Sequence, residues 1–151
     1  FTLDLLVRPQ HLNDCARLAD QFPDQSFVID HLAKPDYSET GFESWASDIK
    51  RLSERKNVFC KISSMVTELP PQDPDADELV IAPYLIYLDQ VLEQFTPQRL
   101  MFGSGWPVCT LTATFDEGYD IMNLYIGKLS THEQDLIMGE SAALFYNIEP
   151  V

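Results

Sequence analysis

Apolar positions along the chain switch between two periods, and the switches mark out the elements. TLDLLV, Thr2–Val7, reads as a strand closed by Pro9. HLNDCARLADQF follows with Leu12, Cys15, Ala16, Ala19 and Phe22 on one helical face. SFVID, Ser26–Asp30, predicts a second strand that runs into His31 and a loop with Pro35. The stretch Thr40–Glu54 predicts a second helix. Its apolar face is Phe42, Trp45, Ala46, Ile49 and Leu52, and Thr40 and Glu43 stand at capping-box spacing. NVFCKIS, Asn57–Ser63, predicts a third strand, and the Pro- and Asp-rich stretch Leu69–Asp77 a loop. A helix is expected from about Pro83 to Phe95, with proline as a favourable first-turn residue. RLMFG is the fourth strand. Thr114 with Glu117, and Ser130 with Glu133, open two further helices, the last ended or broken by Gly139.

Short apolar strands joined by helices imply βαβ units and a parallel sheet. Two architectures fit this α/β pattern. One is half of a (β/α)8 barrel, which needs about 250 residues when complete. The other is a small open parallel sheet with helices on both faces. In a closed barrel Phe27, Ile29, Phe59 and Phe102 would be buried against the opposite strands. In either case the functional edge is the carboxyl end of the strands, so residues at strand ends carry the weight.

Length and composition narrow the picture. A chain of 151 residues, 45% hydrophobic, reads as a single domain without an internal linker. Its abrupt start inside a strand reads as a partial domain, a piece of something larger. Ten basic against 24 acidic residues leave a net charge of −14, which argues against nucleic acid and against anionic membrane surfaces. No apolar run approaches the ~20 residues of a membrane span. Cys15, Cys60 and Cys109 form no C-x-x-C pair, and with no visible signal peptide they indicate a reducing, cytoplasmic setting.

The candidate chemistry is sparse. His31 ends the second strand, where an imidazole can ligate a metal or move a proton; a histidine hydrogen-bonded in a loop is the alternative. Asp30, pointing the other way, could cap or pair with Lys34. Phe59, Lys61 and Ser63 share a strand face. A lysine in so apolar a strand needs a partner or a water-filled mouth. It could bind a substrate carboxylate, polarise a carbonyl, or sit in a salt bridge. Arg8 follows the first strand and could face the same mouth, with a surface position as the favoured alternative. His11 and His132 open helices and are expected to face solvent. The acidic run Asp73, Asp75, Asp77 and Glu78 lacks the glycine and spacing of an EF-hand. No P-loop, G-x-G-x-x-G, H-E-x-x-H or G-x-S-x-G is present.

Four stretches taken in order, VIDHLAKP, NVFCKIS, RLMFGSGWPV and GESAALFY, resemble the C-terminal half of the amidohydrolase-related lactonase family. That group includes sugar-lactone lactonases and 2-pyrone-4,6-dicarboxylate lactonases. The resemblance implies a (β/α)8 barrel and hydrolysis of a lactone or amide, in some members with a divalent metal such as zinc. It implies that His31 is a metal ligand or carbonyl polariser. It also implies that Lys61 lines the pocket, and Ser63, Trp106 and Arg8 are candidate contacts beside it for a small lactone or carboxylate. The family's GSDWP stretch carries an aspartate that orients or deprotonates water. Here it reads GSGWP, with Gly105 in the aspartate's place, and no H-x-H pair occurs in the chain. Ser141 stands where the family's GENA-like stretch has asparagine. The chain alone is therefore expected to hold no metal and to be inactive. It is also expected to associate with itself or with a missing N-terminal half. The rival reading is a non-catalytic ligand-binding or assembly protein derived from the same family.

Overall fold

In the computed structural model, residues 1–37, 40–68 and 81–149 are described. The strands are β1 (Leu3–Leu5), β2 (Phe27–Ile29), β3 (Val58–Ser63) and β4 (Leu100–Gly103). They form one four-stranded sheet in the order β1-β2-β3-β4, every neighbour parallel. Between them run α1 (Leu12–Gln21), α2 (Phe42–Ser53), the short α3 (Met65–Glu68) and α4 (Ala82–Phe95). After β4 come α5 (Phe115–Ile126), α6 (Thr131–Asp135) and α7 (Ser141–Tyr146). Sequential parallel order with helical crossovers is the arrangement of half a (β/α)8 barrel. The acidic run Asp73–Glu78, and the loop predicted over Leu69–Asp77, lie outside the described residues.

Strand alternation divides the core in two. Phe27, Ile29, Val58, Cys60, Ile62 and Leu100 face α1, α2, α4 and α5 and join Leu12, Trp45, Ile49, Leu88 and Met122 in the main cluster. The opposite face carries Val28, Phe59 and Met101, packed beneath Phe145 and Tyr146 of α7. The expectation that Phe27, Ile29 and Phe102 face the barrel interior is thus corrected. They lie on the helix side, and only Phe59 points inward. Nor is the inner face left open. Phe145 lies with its ring centroid 4.9 Å from that of Phe59, and Ser141 Oγ donates to the Pro97 carbonyl just before β4. α7 therefore covers the half of this face nearest the strand starts.

Element ends follow local chemistry. Thr114 and Ser130 both form reciprocal capping boxes, with Glu117 and Glu133. The N-cap of α2 falls on Gly41, one residue later than the Thr40–Glu43 spacing predicts. β1 is shorter than predicted, and Phe22 is exposed at the end of α1 rather than on its buried face. Gly139 does not end the last helix. Residues Leu136–Glu140 form a π-helical turn that carries the chain from α6 into α7.

Candidate functional site

The carboxyl ends of β2, β3 and β4 share a conformational feature. His31, Leu32, Ala33 and Lys34 follow β2 with φ of 53°, 54°, 61° and 49°. Ser64 follows β3 at 55°, and Gly105 follows β4 at 72°. Left-handed backbone costs a residue with a side chain about 1–2 kcal/mol, so four in succession must be held by their surroundings. Leu32 and Ala33 are fully buried, and Trp45 Nε1–H donates to the Leu32 carbonyl at 2.8 Å.

The turn changes where His31 points. Regular alternation would put His31 on the helix side with Ile29. Instead its Nδ1 lies 2.5 Å from Ser63 Oγ, and Ser63 belongs to the inner face by its register with Gly103. The structure thus joins two of the predicted site residues, an imidazole and a buried hydroxyl, at the mouth of the sheet. Within such a pair the imidazole can take or give the hydroxyl proton.

Lys61 sits one layer deeper on the same face. Its Nζ lies 2.6 Å from Asp4 Oδ2 and 2.8 Å from Asp30 Oδ1, and 5.4 Å from the Tyr146 ring centroid. Tyr146 OH donates to Asp4 Oδ2 at 2.7 Å. Burial works against the ammonium, but the hydrogen bonds to Asp30, Asp4 and Tyr146 outweigh it and raise Lys61 above the ordinary lysine value. Of the readings open for Lys61, the salt bridge is realised. A substrate carboxylate would have to displace two carboxylates already in place. Asp30 pairs with Lys61 rather than with Lys34, because Asp30 shares the inner face with Val28.

Other predicted residues stand apart. Arg8 is exposed, and its backbone N–H bonds His11 Nδ1 at 3.2 Å; no hydrogen bond described joins it to His31, Ser63 or Lys61. Trp106 is 67% exposed, on a turn held by its N–H to Ser104 Oγ. His11 and His132 face solvent as expected. All three cysteines are buried, and burial pushes the Cys60 thiol up to about 12. Asp4, Tyr146 and Ser64 were missed as neighbours of the site. Asp4 had a usable signal, an acid alternating with Leu3 and Leu5; Tyr146 and Ser64 had none in local spacing.

Among the described residues, no three of His, Cys, Asp and Glu converge where a metal ion could sit. A structural zinc wants four ligands and a catalytic zinc three. His31 offers one imidazole whose Nδ1 already meets Ser63, so these residues do not make up a zinc site by themselves. Among the described residues no helix is long and apolar enough to cross a membrane.

Comparison with known proteins agrees with the fold. The amidohydrolase family profile matches residues 2–148. An L-fucono-1,5-lactonase of Burkholderia multivorans is 32% identical over 156 residues, covering 97% of this chain and 51% of the relative. A crystal structure of an amidohydrolase from Burkholderia multivorans with bound zinc superposes with a TM-score of 0.84 at 34% identity, covering 97% of this chain and 53% of that one. A putative 2-pyrone-4,6-dicarboxylic acid hydrolase from Pseudomonas putida shares the fold, with a TM-score of 0.78 at 19% identity over 100% of this chain and 53% of the other. This chain thus spans about half the length of the relatives it matches. It carries four parallel βα units of their barrel and belongs to the amidohydrolase family.

Proposed function

We propose that this chain is the C-terminal portion of a hydrolase that opens a lactone, or a related cyclic ester or amide, of a sugar or carboxylic acid. By itself it contributes a wall of the pocket and does not turn substrate over. The observation that carries the reading is the content of the strand-end mouth. His31 and Ser63 are in contact there, but position 105, where the family's carboxylate is expected, is glycine. Asp30, an acid on the inner face, is engaged by Lys61. Opening a lactone with water needs a base for the water and stabilisation of the developing oxyanion, and a missing acid–base group costs ~10²–10⁴-fold. The lactonase relatives support the substrate class, and their length, about twice this chain's, supports a second half as the missing partner. The location in this reading is the cytoplasm, in keeping with three free, buried cysteines.

The test is hydrolysis of L-fucono-1,5-lactone by the chain alone, followed as acid release. The expected result is no rate above the uncatalysed opening. Turnover that disappears in His31→Ala would overturn the reading and make His31 the working base.

A further inference from the structure

Gly105 is more than a position that lacks a carboxylate. Its backbone lies so close to the end of β3 that a side chain there has little room. A Cβ placed on Gly105 would stand 2.7 Å from Ser64 Oγ, 3.0 Å from Ser64 Cα and 3.2 Å from Ser64 N. A real Cβ essentially never stands closer than 3.0 Å to another heavy atom, so something must shift.

The backbone on both sides of the contact is tied down, so relief falls to the Ser64 side chain. The Ser64 carbonyl accepts hydrogen bonds from Thr67 N–H at 3.2 Å and Thr67 Oγ1–H at 2.8 Å, which fix the start of α3. The Gly105 carbonyl accepts from the N–H of buried Cys109 at 3.0 Å, which fixes the turn after β4. Ser64 is itself only 6% exposed.

The backbone angle alone does not explain the glycine. At φ of 72° most residues are strained, but aspartate and asparagine visit this region more readily than others. An aspartate at position 105 would be strained there, though less than most residues. What it would meet is the Ser64 hydroxyl. Ser64, at φ of 55°, stands in a conformation where glycine would be the unstrained choice. Replacing it by glycine removes the 2.7 Å contact. The contacts to Cα and N remain, and they ask the hydrogen-bonded Ser64 backbone to give by a few tenths of an ångström.

We propose that Ser64 is the residue that decides whether the mouth can hold a carboxylate at position 105. The serine and the glycine are one coupled feature, and neither can be read alone. The inference rests on the reading above that position 105 is where a hydrolytic carboxylate would stand.

The experiment is a thermodynamic cycle on the full chain, comparing the original protein, Ser64→Gly, Gly105→Asp and the double variant by urea unfolding. Gly105→Asp alone should raise the unfolding constant about tenfold or more. Ser64→Gly should change it by less than about fivefold, since relief of left-handed strain offsets the added freedom of the unfolded chain. The double variant should return to within about fivefold of Ser64→Gly. Additive effects, with Gly105→Asp equally damaging in both backgrounds, would overturn the proposal and leave the backbone angle and the main-chain contacts as the reasons for the glycine. If Gly105→Asp does not fold and the double variant does, the coupling stands. If neither folds, the same cycle with Gly105→Ala decides, and absence of rescue by Ser64→Gly there overturns it. The cycle reads stability only, so its failure is distinct from failure of the functional reading, which the lactone assay reports.

Discussion

At the scale of single residues, Lys61 shows how far local sequence goes. A cation inside VFCKIS must have a partner, and that much follows from the cost of burying a charge. Which partner depends on the neighbouring strands: Asp4 comes from β1, Asp30 from the end of β2, and Tyr146 from the last helix. His31 is the opposite case. Its place at a strand end was legible, but the left-handed turn that swings it to Ser63 was not, because nothing in DHLAKP is glycine. Lys61→Met should destabilise the chain by about 1–2 kcal/mol in urea unfolding. That is less than the 3–5 kcal/mol of breaking a fully buried pair, because the face is partly solvated. The pH dependence gives a second reading. The folded lysine is raised above its ordinary 10.5, so its stabilisation is complete below that value and is lost as pH rises beyond it through the folded value. The original chain should lose stability above pH 10.5 more steeply than Lys61→Met. Equal slopes would mean that the ion pairs contribute nothing measurable.

At the scale of elements, what was legible depended on fixed chemical offsets. The boxes Thr114–Glu117 and Ser130–Glu133 need only a hydroxyl and a carboxylate three residues apart, and both form. The helix faces of α1 and α2 were legible for the same reason, since burial of Leu12, Cys15, Trp45 and Ile49 follows the helical period. Strand faces were not. Phe27, Val28 and Ile29 are all buried, so a run apolar on both sides carries no alternation to say which side is inward. The π turn at Leu136–Glu140 was equally hidden. Gly139 looked like a stop, yet the added residue in that turn lets the helix continue and Phe145 reach Phe59. If α7 docks on the inner face, Phe145→Ala should cost about 3 kcal/mol. Leu144→Ala, one residue away and 77% exposed, should stay within about 0.5 kcal/mol. Similar losses at the two positions would mean that α7 does not pack where described.

At the scale of the whole molecule, two features oppose each other. The sheet ends in β1 and β4, each with one strand edge unpaired within the described sheet, and such edges are templates for pairing with another chain. A second driving force, an open apolar inner face, is weak here. α7 covers Val28, Phe59 and Met101, and Lys61 with its two acids lies beside them on the same face. Against association stands a net charge of −14, which repels a second copy over a distance set by salt. The Debye length falls from about 30 Å at 0.01 M salt to about 8 Å at 0.15 M, so the repulsion between copies is screened as salt rises. Edge pairing should therefore be suppressed at low ionic strength and appear as salt is raised. Sedimentation velocity at fixed protein concentration should show a single slow species at 0.01 M salt and faster species at 0.5 M, at salt levels chosen around that screening range. A lysine placed on the edge, Leu3→Lys, lowers the net negative charge yet adds an edge-blocking residue, so the two effects separate. If edges drive association, Leu3→Lys should stay slow at high salt despite its smaller charge. If it associates more readily than the original chain, charge alone governs the behaviour, and the strand edges are not where copies meet.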